Sequence, residues 1–337
     1  MVTDNTMSLE EVSKIAQSAL EGAGASRENA ASVARSTYLA ERDGIRSHGL
    51  MYVPIYAEHV SCGKVNGAAQ PTLEHKRPGA INVNAHSGFA HPAIDAGWDS
   101  FIQSARDNGV ATLTVYNSYN CGVLGHHAER MAEEGMVGLC FTHAPASIAP
   151  YGGSKPVIGT NPFSIAVPDG KGSAAIVIDQ SASVVAKSEI MLRARTGKSI
   201  EPDWALDVDG QPTTDPELAL KGSMMPSGGY KGFGVGLLVE VLAACLSGAV
   251  LSKDASPFSG TAGGPPNTGQ CFIALDPAAF SGDVFFEKIT DLCSAIDAQE
   301  GARVPGSGSR ANRERILQEG VTVDEALMGR INQYISA

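Results

Sequence analysis

The period of the hydrophobic pattern changes near Lys64, and that change limits the fold more than any other feature of the sequence. Before it the chain reads as helices. Ser8 and Glu11 stand at capping-box spacing ahead of the stripe Leu9, Val12, Ile15, Ala16, Ala19 and Leu20. Ser26 caps a second helix over 27–42 with Ala30, Val33, Ala34, Thr37 and Tyr38 on one face, and Asp43-Gly44 stops it. A third helix starts around Pro54. After Lys64, prolines and glycines break the pattern, and strands begin to alternate with helices. Strands are expected at 79–85, 110–116, 136–144, 174–183 and 270–277, and helices at 93–108 and from about 125. Helices over 283–298, 311–319 and 325–335, the last behind a Thr322–Glu325 capping box, can close on the N-terminal ones. With 337 residues and 38 glycines, a loop-rich α/β or α+β protein of about two domains follows.

Charge and cysteine usage narrow the function. A net charge of −11 argues against nucleic acid or an anionic membrane surface as partner. A small anionic substrate then needs local cations. The six cysteines (62, 121, 140, 245, 271, 293) form no CxxC pair, so neither a zinc cluster nor a disulfide framework is expected. They read as reduced thiols of a cytoplasmic protein. No apolar run reaches membrane-spanning length, and the N-terminus has no signal core. His86 and His91 lie five apart without a carboxylate or thiolate nearby, so no metal is expected.

Several stretches carry chemistry-bearing residues. GIRSHG (44–49) places Ser47 and His48 on a loop just past a helix end. Histidine gives or takes a proton near neutral pH, and an adjacent serine can fix its tautomer; a surface or capping role is the alternative. NSYNCGVLGHHAERM (117–131) is a strand end, a turn and a helix start. It is either a phosphate seat or an ordinary connection, with His126 and His127 on the helix's first turn. The chain contains no GxGxxG fingerprint. Thr160 and Asn161 of GTNPF offer a hydroxyl and an amide. Asp179, at the end of a strand, suits a ribose hydroxyl or the cap of the next helix, 184–196. Lys187 and Glu189 stand near that helix's start, while Arg193, Arg195 and Lys198 read as a solvated face. SGGYKGFG (227–234) sets glycines around Tyr230 and Lys231 before an apolar helix over 235–246 that reads as buried. Residues 253–270 form a glycine- and proline-rich loop. RVPGSGSR (303–310) sets Arg303 and Arg310 about a tight turn, a fork suited to phosphate.

Taken in order, SHG (47–49), NSxNxG (117–122), GTNPF (159–163), DQSAS (179–183), GGYKG (228–232) and RVPG (303–306) resemble the malate/L-lactate dehydrogenase-like oxidoreductases that lack a Rossmann fold. Within them the chain is most similar to the Δ1-piperideine-2-carboxylate/Δ1-pyrroline-2-carboxylate reductases. The resemblance spans nearly the whole chain. It implies a non-Rossmann NADP-binding domain with a largely antiparallel sheet (117–289) and a helical domain built from both termini (1–60 and 290–337). A linking and dimerisation region (61–116) and a homodimer are implied as well. NADPH is the implied cofactor, with NADH possible, and the implied substrate is a small anionic cyclic imine 2-carboxylate. A 2-hydroxyacid dehydrogenase and a non-catalytic nucleotide-binding dimer are the alternatives.

Carried onto this sequence, the resemblance makes His48 the proton donor, Ser47 its relay and Glu189 the acidic relay member. Tyr52, Thr160, Lys187 and Ser188 match substrate contacts. Asn120, Cys121, Gly122, Val123, Leu124, Asp179, Gln180, Ser181, Gly229, Tyr230 and Lys231 match cofactor contacts. So do Arg303, Val304, Pro305, Gly306, Ser307, Gly308, Ser309 and Arg310. Hydroxyacid dehydrogenases of this family tend to carry lysine where Glu189 stands, so the acid favours imines. The chain departs from the family pattern at Tyr52, often an arginine, and at Asn120 and Tyr230, often histidines. Glu189 stands where an aspartate is usual.

Overall fold

The computed structural model describes residues 5–335. Strand β1 (Asn5–Met7) leads into α1 (Leu9–Gly22), where the capping box forms: the Ser8 hydroxyl accepts from the Glu11 N–H, and the Glu11 carboxylate accepts from the Ser8 N–H. Helix α2 (Arg27–Arg42) ends at Asp43, and α3 (Val53–Ser61) begins with Pro54 in its first turn, where a missing N–H costs nothing.

Next come β2 (Thr72–Arg77), β3 (Ala80–Asn84), α4 (Ala90–Asn108), β4 (Val110–Ser118), α5 (Leu124–Glu133), β5 (Val137–Thr142), β6 (Phe163–Pro168) and β7 (Ala174–Gln180). Helix α6 (Lys187–Thr196), the two-residue β8 (Ala205–Leu206), α7 (Pro216–Lys221) and β9 (Ser223–Met224) form the excursion beyond β7. The chain returns through α8 (Tyr230–Glu240), a π-helical turn (Val241–Cys245) and β10 (Thr268–Leu275). Helix α9 (Asp283–Asp297), α10 (Ser307–Glu319), β11 (Val321–Val323) and α11 (Glu325–Ile335) complete it.

The central sheet runs β2-β3-β4-β10-β5-β6-β7. Only β3 and β4 are parallel, joined across α4; every other neighbouring pair is antiparallel. Helices α4 and α5 bury one face through Ile94, Trp98, Phe101 and Met131 against Leu113, Val115 and Phe272. The π-helical turn and α8 cover part of the other through Val239 and Ala243 against Phe141 and Cys271. The boundary expected at 290 falls inside α9, whose Phe285, Ile289, Cys293 and Ile296 pack as one face on Val167 and Ile176.

Both chain ends build the helical lobe. Leu9, Val12, Ala16 and Leu50 share one core with Ile316, Val321, Leu327 and Ile331, and β1 pairs antiparallel with β11. One expectation is corrected. The apolar stretch 235–246 is not buried all round: Gly236, Val239, Ala243 and Ala244 face inward, while Val235 (38%), Leu238 (52%) and Leu246 (58%) face out. Its hydrophobicity serves two faces, and only one is covered within this chain. Among the described residues no helix is long and apolar enough to cross a membrane.

Candidate active site

Ser47 and His48 lie on a single 3-10 turn, Arg46–His48, directly after the α2 cap and the left-handed Gly44. The Ser47 hydroxyl is 3.1 Å from His48 Nδ1. Beneath the turn lies Glu41, whose carboxylate accepts the Leu50 N–H at 2.8 Å. A Cβ on Gly49 would come 2.1 Å from that carboxylate oxygen, so the glycine of SHG answers a close approach and not a left-handed backbone. Burial lowers His48 to about 4, and the nearby charge of His126 pushes the same way. The ring is therefore neutral at neutral pH.

Asp43, five residues before His48, is a buried hub. It accepts from His126 Nε2 at 3.1 Å, from Arg42 Nε at 2.8 Å and from two nitrogens of Arg313 at 2.8 Å. Arg313 also forks onto Glu129 at 2.8 and 2.6 Å. Burial alone would raise the Asp43 carboxyl; the hydrogen bonds from His126, Arg313 and Arg42 outweigh it and hold the group well below the usual carboxylate range. The end of α2, the first half of α5 and the middle of α10 are thereby tied together beside His48.

Tyr52 stacks its ring parallel to His48, 7° apart in plane and 6.3 Å between centroids. Burial pushes its hydroxyl up to about 12. Tyr56 packs edge-on at 4.7 Å, and its hydroxyl donates to Asn120 Oδ1, which also accepts the Gly122 N–H. Asn120 thus ties α3 to the turn that enters α5. Cys121, Val123 and Leu124 are buried, which leaves backbone atoms as what they have to offer a ligand. Burial drives the Cys121 thiol up to about 12, so it is no nucleophile.

The start of α5 is not a free phosphate seat. Asp179 at the end of β7 accepts the Gly125 N–H at 2.7 Å, and a Cβ on Gly125 would meet the same carboxylate at 2.9 Å. The acid supplies the negative charge that a helix N-terminus favours. It does not cap the following helix, whose N-cap is Ala186. Asn161 of GTNPF is fully buried, with φ +39°; its amide donates to the Gly236 carbonyl and to Glu240 and accepts the Ala144 N–H. It braces the backbone next to Thr160 and has no surface for a ligand.

Gln180, Ser181 and Lys231 line one cavity of about 420 Å³ between the end of β7 and the start of α8. Gly228 and Gly229, at φ +70° and +66°, turn the chain there. Tyr230 is exposed and edges against Tyr151. Beyond β7, the Pro305 carbonyl accepts the Val177 N–H at 3.1 Å, which docks Arg303 to Gly306 along the strand. Val304 is buried, Arg303 is exposed, and the Arg310 guanidinium donates to the Ala174 carbonyl. Ser307, Gly308 and Ser309 form the first turn of α10.

Lys187, Ser188 and Glu189 form the first turn of α6. Burial lowers the proton affinity of Lys187. The Glu189 carboxylate is bonded to Arg193 at 2.8 Å, and among the described residues no hydrogen bond or ion pair joins it to His48. His86 bonds to Thr72 and His91 is buried in α4, so that pair does not converge. Glu41, Asp43, His126 and Arg313 were not singled out from the sequence as site residues.

A helical lobe presents the Ser47–His48 pair, and the sheet lobe carries glycine-rich turns and a lined cavity. The profile of the malate/L-lactate dehydrogenase family matches residues 7–332, and the chain belongs to that oxidoreductase family. It is 41% identical to a (2R)-3-sulfolactate dehydrogenase (NADP(+)) of Chromohalobacter salexigens, over 97% of each chain. It is 36% identical to a Δ1-pyrroline-2-carboxylate reductase of Ancylobacter novellus, over 96% of each. The crystal structure of a Δ1-piperideine-2-carboxylate reductase from Pseudomonas syringae superposes with a TM-score of 0.91 at 31% identity, covering 98% of this chain and 99% of that one. The mostly antiparallel sheet with a helical lobe from both termini matches the expected fold.

Proposed function

We propose that the protein is an NADPH-dependent reductase of a cyclic imine 2-carboxylate, forming L-proline from Δ1-pyrroline-2-carboxylate or L-pipecolate from Δ1-piperideine-2-carboxylate. What supports this reading is the stack of Tyr52 on His48, rings 7° apart in plane and the Ser47 hydroxyl 3.1 Å from Nδ1, where burial favours the neutral form of both. A ketone needs a proton donor ready as hydride arrives. A protonated imine brings its own charge and needs none at that step. Full-length relatives named as pyrroline-2-carboxylate reductases support the reading.

The residues present fit a dinucleotide. The cavity lined by Gln180, Ser181 and Lys231 offers a cation to phosphate, with open space at the Gly228 turn before α8, and Arg303 is exposed. Bound there, the cofactor supplies the hydride. On the protein side, Ser47 fixes the imidazole and His48 passes a solvent proton to the lone pair left on the reduced ring nitrogen. A histidine of low proton affinity surrenders a proton readily to a basic amine. Thr160, Lys187 and Ser188 hold the substrate carboxylate. Glu189 stabilises positive charge at the ring nitrogen or the imidazolium, in exchange for its pair with Arg193. The outward apolar side of α8 meets a second copy of the chain, giving a cytoplasmic homodimer.

A second reading is a dehydrogenase of a 2-hydroxyacid such as 3-sulfolactate, favoured by the relative at 41% identity. There a neutral His48 would take the hydroxyl proton as a base. Steady-state rates with both cyclic imines, pyruvate and 3-sulfolactate, each with NADP(H) and NAD(H), separate the two. Turnover confined to 3-sulfolactate or the keto acid overturns the imine reading. Glu189→Lys should cost imine reduction, and an unchanged rate removes the acid from the mechanism.

A further inference from the structure

Lys64, just past α3, is 1% exposed, and the lysine ion pairs among the described residues belong to Lys76 and Lys253. Its ammonium donates instead to three backbone carbonyls: Pro257 at 2.6 Å, Gly260 at 3.0 Å and Ala262 at 3.0 Å. Carbonyls only accept, so three contacts use three hydrogens and the group carries its charge. A cation stripped of water and given no counterion is unfavourable unless other dipoles replace its hydration. Backbone carbonyls do this for potassium in channel filters. The cage around Lys64 has the same chemistry, and its two longer distances exceed the roughly 2.3–2.6 Å of a calcium site. It suits a large monovalent ion such as ammonium or potassium.

All three oxygens come from one segment, between the π-helical turn and β10. It forms no helix or strand, and among the described residues no backbone hydrogen bond holds 256–266. The side-chain donors that reach it are Lys64 and the buried His59, whose Nε2 lies 3.0 Å from the same Gly260 oxygen. The segment is therefore ordered from outside, by a cation and an imidazole at the end of α3. It carries Phe258, which packs edge-on against Tyr119 at 5.2 Å. Tyr119 packs against Tyr56 at 5.9 Å, and Tyr56 against Tyr52 at 4.7 Å. Tyr52 in turn lies parallel to the His48 ring. A file of rings thus runs from the segment to the catalytic turn.

We infer that Lys64 is a positioning residue whose ammonium takes the place of a bound monovalent cation, docking the 253–267 segment on α3 so that Phe258 braces the rings behind Tyr52 and His48. This rests on the role given to His48 above, and not on the choice between an imine and a hydroxyacid. The segment has two states, docked and undocked, and the cation decides between them. That two-state element is what carries the effect across the rings.

The test removes the ammonium and offers the cage another ion. Wild type, Lys64→Ala, Lys64→Met and Phe258→Ala are compared in lithium and in ammonium chloride at equal ionic strength. Docking is read by chymotrypsin cleavage after Phe258, located by mass spectrometry, and function by kcat/KM. In lithium, Lys64→Ala should be cleaved about tenfold faster than wild type and lose about tenfold in kcat/KM. Ammonium should restore most of both. Lys64→Met fills the cage with an apolar chain and should respond to neither salt. Phe258→Ala leaves the cage whole and should show the kinetic loss without rescue. Cleavage of Lys64→Ala no faster than wild type, rescue by lithium as full as by ammonium, or full activity in Phe258→Ala each overturns the inference. Should Lys64→Ala fold in neither salt, Phe258→Ala decides. Turnover is followed with Δ1-pyrroline-2-carboxylate and NADPH. A wild type that turns over only 3-sulfolactate with NADP+ overturns the imine reading, and the same comparison is then made with that pair.

Discussion

The turn that carries His48 and the rim formed by α6 and α8 are built on opposite principles. Around His48 nearly every polar atom is committed inside the chain: Glu41 to Leu50, and Asp43 to Arg42, His126 and Arg313. At the rim, glycines turn in open space, Glu189 holds a half-exposed partner on its own helix, and leucines face outward. On the proposed reading His48 handles a proton and must keep one geometry through the cycle. Surfaces that receive a ligand or a second chain gain their last contacts from it.

Substitutions can break this contrast, beginning with the largest effect. His48→Asn should lower turnover on the order of a hundredfold or more while NADPH binding persists; full activity would remove His48 from the chemistry. Asp43→Ala removes the buried acceptor that Arg42, His126 and Arg313 share, leaving the two arginines with Glu129 alone, and should cost about 3 kcal/mol in a urea titration. Glu189→Ala breaks a pair that is 31% and 35% exposed and should cost less than about 1 kcal/mol. Equal losses from the two would erase the distinction drawn here.

Acid sharpens it further. Burial lowers His48, His127 and His143 to about 4 and His91 to about 3, against 6.5 for a free histidine. The unfolded chain therefore takes up protons below pH 6.5 that the folded one refuses. Stability should be full above that pH and fall steadily down to about 4. His48→Asn should flatten the slope of the denaturation midpoint against pH by at most one proton's share. Gly49→Ala drives a methyl into Glu41 and should destabilise by about 1–3 kcal/mol. Gly228→Ala meets no atom within 4 Å and pays only for its positive φ, about 1 kcal/mol.

What the sequence revealed and what it hid divide along separation in the chain. The α1 capping box lies within three residues, and both ends of α2 follow from Ser26 and Asp43-Gly44; such signals are local and readable. The position of Ser47 and His48 just past the end of α2 is local in the same way. Asp43 looked like a helix stop because its partners His126 and Arg313 lie 83 and 270 residues on. The acid that fills the start of α5 comes from 54 residues downstream. The run 235–246 misled for another reason: hydrophobicity does not say which side a chain covers for itself.

The pairing of β1 with β11 sets an order of events at the ribosome. The lobe bearing the imidazole lacks a third of its buried core until Val321 to Ile331 have emerged, so the sheet can be complete while that lobe still waits. Nascent chains that stop short of residue 320 should bury the sheet yet leave α1 open to proteases.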